Sequence, residues 1–230
     1  MREMYEQELY GAKNPSWHES DAAWKAGHIA RMLRKHALPT RRICEVGCGT
    51  GEILLELERA FPGAALCGYE ISPHAYARAK QKQTARTCFH LQDADAIPDA
   101  SFDVALAIDV LEHVDDYLQF IKRVRALATY KVFHIPLDLS VQSVFRGWPI
   151  MGLRADVGHI HYFFKQTALA AVEESGCRIV DHHYTASRLE LPNQAFTSHL
   201  MKAPRRVMFA LNPDFAVRLL GGYSLLVLAK

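Results

Sequence analysis

The chain has 230 residues, half of them hydrophobic and 23% charged, with 27 basic against 25 acidic side chains for a net charge of +2. That length suits one domain with a sizeable core, and the near-even charge balance gives no electrostatic case for nucleic acid or an anionic membrane. Five cysteines (Cys44, Cys48, Cys67, Cys88, Cys177) form no CxxC pair, so buried reduced thiols and a cytoplasmic setting are expected, with no metal site.

In chain order, the opening MREMYEQELYGAKN is too polar for a signal peptide and reads as a loose arm to about Ser16. Ser20 or Asp21 is placed to cap a helix with Ala23, Ala26, Ile29, Ala30 and Leu33 at helical spacing, ended by Pro39. Apolar runs then predict strands at Ile43–Val46, Ala64–Tyr69, Thr87–Leu91, Phe102–Ile108, Lys131–Ile135 and Arg178–His183. Helices are predicted at Glu52–Phe61, Pro73–Gln83, Val114–Tyr130 and Gln166–Ser175. Residues 137–157 and 184–222 break this rhythm and read as irregular insertions, and Tyr223–Lys230 reads as a last strand. Alternating strands and helices imply an α/β fold with a parallel sheet covered on both faces, in one domain over 1–230 with residues 1–40 as a helical cap.

Gly47, Cys48, Gly49 and Gly51 lie on the turn between the first strand and its helix. Glycine there lets the chain turn sharply and lets a ligand approach the backbone. Such ligands collect at the carboxyl edge of an open parallel sheet. A dinucleotide fingerprint wants glycine or alanine where this chain has Glu52, and an acid at a helix start repels a pyrophosphate, so a nicotinamide oxidoreductase is disfavoured. Glu45, before the first glycine, is suited to receive an ammonium group. Glu70 ends the second strand where an acid would accept two ribose hydroxyls. Asp93, in Gln92-Asp93-Ala94-Asp95 after the third strand, suits an exocyclic amine.

These segments (ICEVGCGTGEIL, GYEIS, LQDADAIPDASFDVALAIDVLEHV, HIPLD and GHIHYFFKQTALAAVEESGCRIV) resemble the ordered motifs of class I S-adenosylmethionine-dependent methyltransferases, in the group with ubiquinone-type O-methyltransferases. The resemblance covers about Arg42 to Asp181 plus the last strand. It implies a Rossmann-like three-layer sandwich, whose seven-stranded, mostly parallel sheet takes its last strand antiparallel. It also implies S-adenosylmethionine as cofactor, leaving as S-adenosylhomocysteine. Glu45, Gly47, Cys48, Gly49 and Gly51 would hold the methionine part, Glu70 and Ile71 the ribose, Asp93 and Ala94 the adenine. Asp109 would line the methionine end and the floor of the acceptor site.

Methyl transfer from a sulfonium needs positioning above all, and a general base only when the acceptor arrives protonated. Among 12 histidines, three sets fall where the pocket should be: His113, His134, and His159 with His161; His134 and His159 are the candidates, while His113 fits packing of the helix start and His182 and His183 structural roles. Val144–Leu153, with its bulky apolar residues, suits a lid over an apolar or aromatic acceptor, and Trp17, His18 and Trp24 could close the same pocket. The 184–222 stretch, with Phe196, Leu200, Met201, Val207 and Phe209, could wall that site, form a dimer contact or touch a membrane, in that order of preference. The expected partner is a small molecule, with no nucleic acid and with membrane contact disfavoured, in a monomer or homodimer. The alternative function is a cofactor-binding regulatory subunit without transferase activity.

Overall fold

A computed structural model describes residues 19–191 and 196–230, with backbone alone over 196–201. The polar arm, Trp17, His18, Pro192 and the side chains of Phe196, Leu200 and Met201 lie outside the described residues. A 3-10 turn (Glu19–Asp21) leads into α1 (Ala22–Lys35), whose Ala26, Ile29, Ala30, Met32 and Leu33 are buried. Asp21 sits at the N-cap but makes no capping bond; its carboxylate pairs with Lys25 at 3.1 Å. The helix ends before Pro39, where Ala37 adopts a left-handed φ of +46° and its N–H donates back to Arg34.

The alternation follows as β1 (Arg42–Val46), α2 (Glu52–Ala60), β2 (Ala65–Glu70), α3 (Pro73–Lys80), β3 (Thr87–Leu91), β4 (Phe102–Ile108), α4 (Tyr117–Leu127) and β5 (Ala128–Pro136). α4 is shorter than the helix expected to Tyr130. Ala128 already pairs with Phe102 and Tyr130 with Val104 of β4, so sheet pairing overrides local helix propensity. Residues 137–157 are not irregular but fold as α5 (Val141–Arg146) and α6 (Trp148–Asp156). A Ser140/Ser143 capping box starts α5, Gly147 at φ +68° turns the chain, and Pro149 sits in the first turn of α6, where a missing N–H costs nothing. The rest is α7 (Lys165–Glu174), β6 (Ile179–Thr185), α8 (Ser187–Glu190), α9 (Phe196–Leu211), α10 (Pro213–Leu220) and β7 (Ser224–Ala229). The expected 184–222 insertion thus gives its first two residues to β6 and is otherwise largely helical.

The seven strands form one sheet in the order β3-β2-β1-β4-β5-β7-β6, parallel except for β7, which runs antiparallel between β5 and β6. Each face carries its own apolar layer. Ile29 and Leu33 of α1, with Leu54 and Leu57 of α2, pack on Ile43, Leu66, Leu106 and Leu228. Ile121 and Val124 of α4, with Ala168 and Val172 of α7, pack on Cys44, Ala105, Phe133 and Val227. This is the Rossmann-like three-layer α/β sandwich. Strands between two such layers are apolar on both sides, which is why they read as continuous runs. All five cysteines are free; Cys67 and Cys88, register partners on β2 and β3, are only half-buried, with their sulfurs 2.8 Å apart.

Candidate active site

A cavity of about 770 Å³ opens at the carboxyl edge of β1, β2, β4 and β5, within the usual size range of small-molecule sites. Gly47, Cys48, Gly49 and Thr50 line it, but Gly51 does not. Two glycines of the loop are required by packing. At Gly47 (φ +75°) a Cβ would meet Val110 at 2.8 Å, and at Gly51 (φ +84°) it would meet the Phe89 ring at 2.4 Å. Glu70 fastens the loop from the next strand, its carboxylate accepting from the N–H of Gly49 (2.8 Å), Ile71 (2.9 Å) and Ser72 (2.8 Å). Burial raises the Glu70 carboxyl, and those three backbone donors work against the rise.

Acids gather around this loop. Glu45, at the end of β1, is 1% exposed and has one carboxylate oxygen with no hydrogen-bond partner. Burial pushes its carboxyl up to about 8, with Lys25 pulling down and Glu70 and Asp109 adding to the rise. Asp93 follows β3, caps a short 3-10 turn (Ala94–Ala96) and lines the cavity with Ile71 and Ala94. Glu52 also lines it, but is ion-paired with Lys82. The case against a pyrophosphate therefore rests on the acids as a set rather than on Glu52.

Asp109 follows β4 in a left-handed conformation (φ +55°), rare for a non-glycine residue. Its two oxygens take Lys25 of α1 at 2.7 Å and the Nδ1 of His134 at 2.5 Å. Burial opposes ionisation, but His134 and Lys25 hold this carboxyl well below the usual range. The Nε2 of His134 meets the Thr185 hydroxyl at 2.8 Å. His134 on β5 thus links Asp109, just past β4, to Thr185 at the end of β6 through its two ring nitrogens. His134, expected as a candidate base, therefore has both ring nitrogens engaged in hydrogen bonds. Trp24 packs edge-on against His134, donates to Glu190 at 2.6 Å and lines the cavity.

At the far end, His159 is nearly buried and its Nδ1 lies 2.7 Å from Asp138 Oδ2. An Nδ1–H donated to that carboxylate leaves Nε2 as a proton acceptor. His113 stands edge-on to it with its own Nδ1 on the Gly158 carbonyl at 3.1 Å, and His161 bonds the Val114 carbonyl at 2.9 Å. Glu112 is fully buried with neither carboxylate oxygen in a hydrogen bond, its Oε1 lying 3.8 Å from His113 Nε2, and burial raises it strongly. Glu112, His113 and His159 bring one donor atom each within 4.8 Å of one another. The sequence hides this grouping because His159 is far along the chain from the other two. Lys25, Glu112, Asp138 and Thr185 escaped the sequence reading; the periodicity of α1 makes Lys25 look like a solvent position. Leu153 of α6 and Val157, just past its end, line the cavity on this side.

A crossover sheet of this order, with acids at the carboxyl ends of its strands, defines the nucleotide-binding methyltransferase architecture. A family model described as a methyltransferase domain matches residues 16–182, and the chain belongs to that family, in its class I S-adenosylmethionine-dependent form. Among curated proteins it is similar to a ubiquinone biosynthesis O-methyltransferase of Azorhizobium caulinodans, 36% identical over 42% of this chain and 39% of the relative. It is also similar to a trans-aconitate 2-methyltransferase of Afipia carboxidovorans, 26% identical over 66% of this chain and 57% of that protein. The chain thus spans less than two thirds of the length of the curated relatives it matches. In fold it is similar to a SAM-dependent methyltransferase of Archaeoglobus fulgidus, at 20% identity and a TM-score of 0.57 over 89% of this chain and 94% of that one. S-adenosylmethionine is the cofactor of this class, and the residues present fit it. The orphaned oxygen of Glu45 suits an ammonium, and the surplus of acids suits a ligand of net positive charge.

Proposed function

We propose that the chain transfers a methyl group from S-adenosylmethionine to a small-molecule acceptor with an apolar or aromatic part, by in-line displacement. The observation that carries this reading is the one cavity in which the acid-lined glycine loop and the His159–Asp138 pair meet. A cofactor-binding subunit without activity would need only the first of these.

When bound, the cofactor supplies an electrophilic methyl on a good leaving group. The rest of the work falls to the protein. Glu45, Gly47, Cys48 and Gly49 hold the methionine part, with the Glu45 carboxylate on its ammonium. Gly51 acts indirectly, by shaping the turn. Glu70, with Ile71, takes the ribose hydroxyls while keeping its backbone donors, since a carboxylate has lone pairs for both. Asp93 and Ala94 receive the adenine. Lys25 and His134 fix Asp109 as the floor between cofactor and acceptor; His134 is a positioning residue. His159 accepts the acceptor's proton at Nε2 as the new bond to carbon forms, with Asp138 stabilising the imidazolium. Leu153 and Val157 keep water out.

Isothermal titration with S-adenosylhomocysteine and with NAD tests the cofactor half, and radiolabelled methyl transfer into a metabolite extract tests the acceptor half. Binding of the first ligand alone, with incorporation of label, is the expected result. Glu70→Ala should weaken S-adenosylhomocysteine by at least about 10-fold, the scale of one lost charge-assisted hydrogen bond. Unchanged affinity would remove Glu70 from the ribose contact.

A further inference from the structure

α5 and α6 expose more bulky apolar surface than their fold requires. Phe145 is 90% exposed, Trp148 69% and Met151 62%, and Val141 and Val144 are exposed beside them. Val141, Val144 and Phe145 stand at positions i, i+3 and i+4, and Trp148 and Met151 at i and i+3, so each short helix presents one apolar stripe. A patch of this kind on a single chain marks an interaction site, not scattered surface apolarity. Charge sets the kind of partner. Residues 141–156 and 202–220 together carry six Arg and Lys against Asp156 and Asp214 only, a surplus of four on a chain whose total is +2. Arg146 and Arg154 flank the apolar stripes and are exposed, and α10, packed against α5, adds exposed Phe215 and Arg218. The net charge of the whole chain conceals this concentration.

We infer that α5 and α6 dock this face on the surface of an anionic lipid bilayer. Phe145, Trp148 and Met151 enter the headgroup boundary while Arg146 and Arg154 meet lipid phosphates. Trp148 suits that depth because its ring is apolar and its indole N–H is polar. Among the described residues no helix is long and apolar enough to cross a membrane, so the contact is interfacial. The same helix α6 lines the cavity with Leu153, so the docked face lies over the acceptor end of the site. Resting on the proposed methyl-transfer reading, this makes an amphiphile at the bilayer surface the acceptor class.

The test is sedimentation of the full chain with vesicles of phosphatidylcholine alone and of phosphatidylcholine with phosphatidylglycerol. Binding to the anionic vesicles only, weakened by about 1 M salt and accompanied by a blue shift of tryptophan emission that Trp148→Phe abolishes, is the expected result. Phe145→Ser with Trp148→Ser should reduce vesicle binding at least about 10-fold while the melting temperature and S-adenosylhomocysteine affinity stay as in the parent. Arg146→Glu with Arg154→Glu should do the same without touching the apolar stripes. No sedimentation with either vesicle overturns the inference, as does equal binding to both. It is also overturned if light scattering finds a dimer that the Phe145/Trp148 pair of substitutions makes monomeric, since the face would then seat a second copy. A chain that binds vesicles but not S-adenosylhomocysteine would keep the surface and sink the methyl-transfer reading.

Discussion

At the scale of single residues, the site is governed by a few buried polar atoms. Glu45 is buried to 1% exposure with an unpartnered oxygen, and its carboxyl sits at about 8 in the fold against an ordinary value of 4.5. A carboxyl raised on folding contributes stability below its unfolded value, and that contribution is lost as pH rises through the folded one. Glu45→Gln should therefore melt higher than the parent at about pH 8.5 without cofactor, and bind S-adenosylhomocysteine at least about 10-fold more weakly. Thermal melts with and without ligand measure both, and a variant that binds as well as the parent would take the ammonium away from Glu45. His159 differs in kind: its Nδ1 is committed to Asp138 and the residue lines the cavity. His159→Asn is expected to cut turnover by about 100-fold, as loss of a general base does, with cofactor affinity unchanged. Equal losses in turnover and affinity would make it a structural residue. From sequence the glycines and acids were legible as types at a strand end. The pairing of Lys25 with Asp109 was not, because it joins residues brought together only by the packing of α1 across the sheet.

At the scale of elements, α1 is fastened to the far edge of the sheet by polar side chains. His28 Nδ1 lies 3.3 Å from His183 Nε2 on β6, His28 Nε2 3.1 Å from Glu190 on α8, and both Lys35 and His36 meet Asp181 at 2.7 Å. Burial, with the neighbouring His28, lowers His183 to about 4 from an ordinary value of 6.5; Arg31 and Lys35 push the same way and Asp181 opposes. A histidine depressed on folding is protonated first in the unfolded chain. Its stabilising contribution is full above about 6.5 and declines as pH falls toward about 4. His183→Gln should flatten the fall in melting temperature across that window, and an unchanged slope would move the acid sensitivity elsewhere. Asp181 acts lower on the scale. Against its own burial, hydrogen bonds from His36 and Lys35 hold it at about 2, so its contribution is full above about 3.8 and is lost as pH falls from there through about 2. The strands of this region were legible as apolar runs. The helices α5 and α6 were not, since Gly147, Pro149 and Gly152 suggest a loop until capping at Ser140 and the first-turn position of Pro149 are seen.

At the scale of the whole molecule, the last strand joins the two apolar layers. β7 lies between β5 and β6, with Leu226 and Leu228 in one layer and Leu225 and Val227 in the other, all essentially unexposed. Leu226→Ala should cost about 2–5 kcal/mol, the range for a large-to-small change in a packed core. Urea unfolding measures it, and a loss under about 1 kcal/mol would mean that the site collapses onto itself.

The sequence by itself determined the element alternation, the glycine turn and the acids at successive strand ends, because periodicity and residue type are local properties of the chain. Its resemblance to class I methyltransferases supplied the antiparallel last strand. Only the tertiary structure decided that His134 is tied at both nitrogens by Asp109 and Thr185, that Gly51 serves Phe89 and not the cavity, and that Glu112, His113 and His159 converge. Each of these depends on which distant segments the sheet order places side by side, and no spacing along the chain encodes that adjacency.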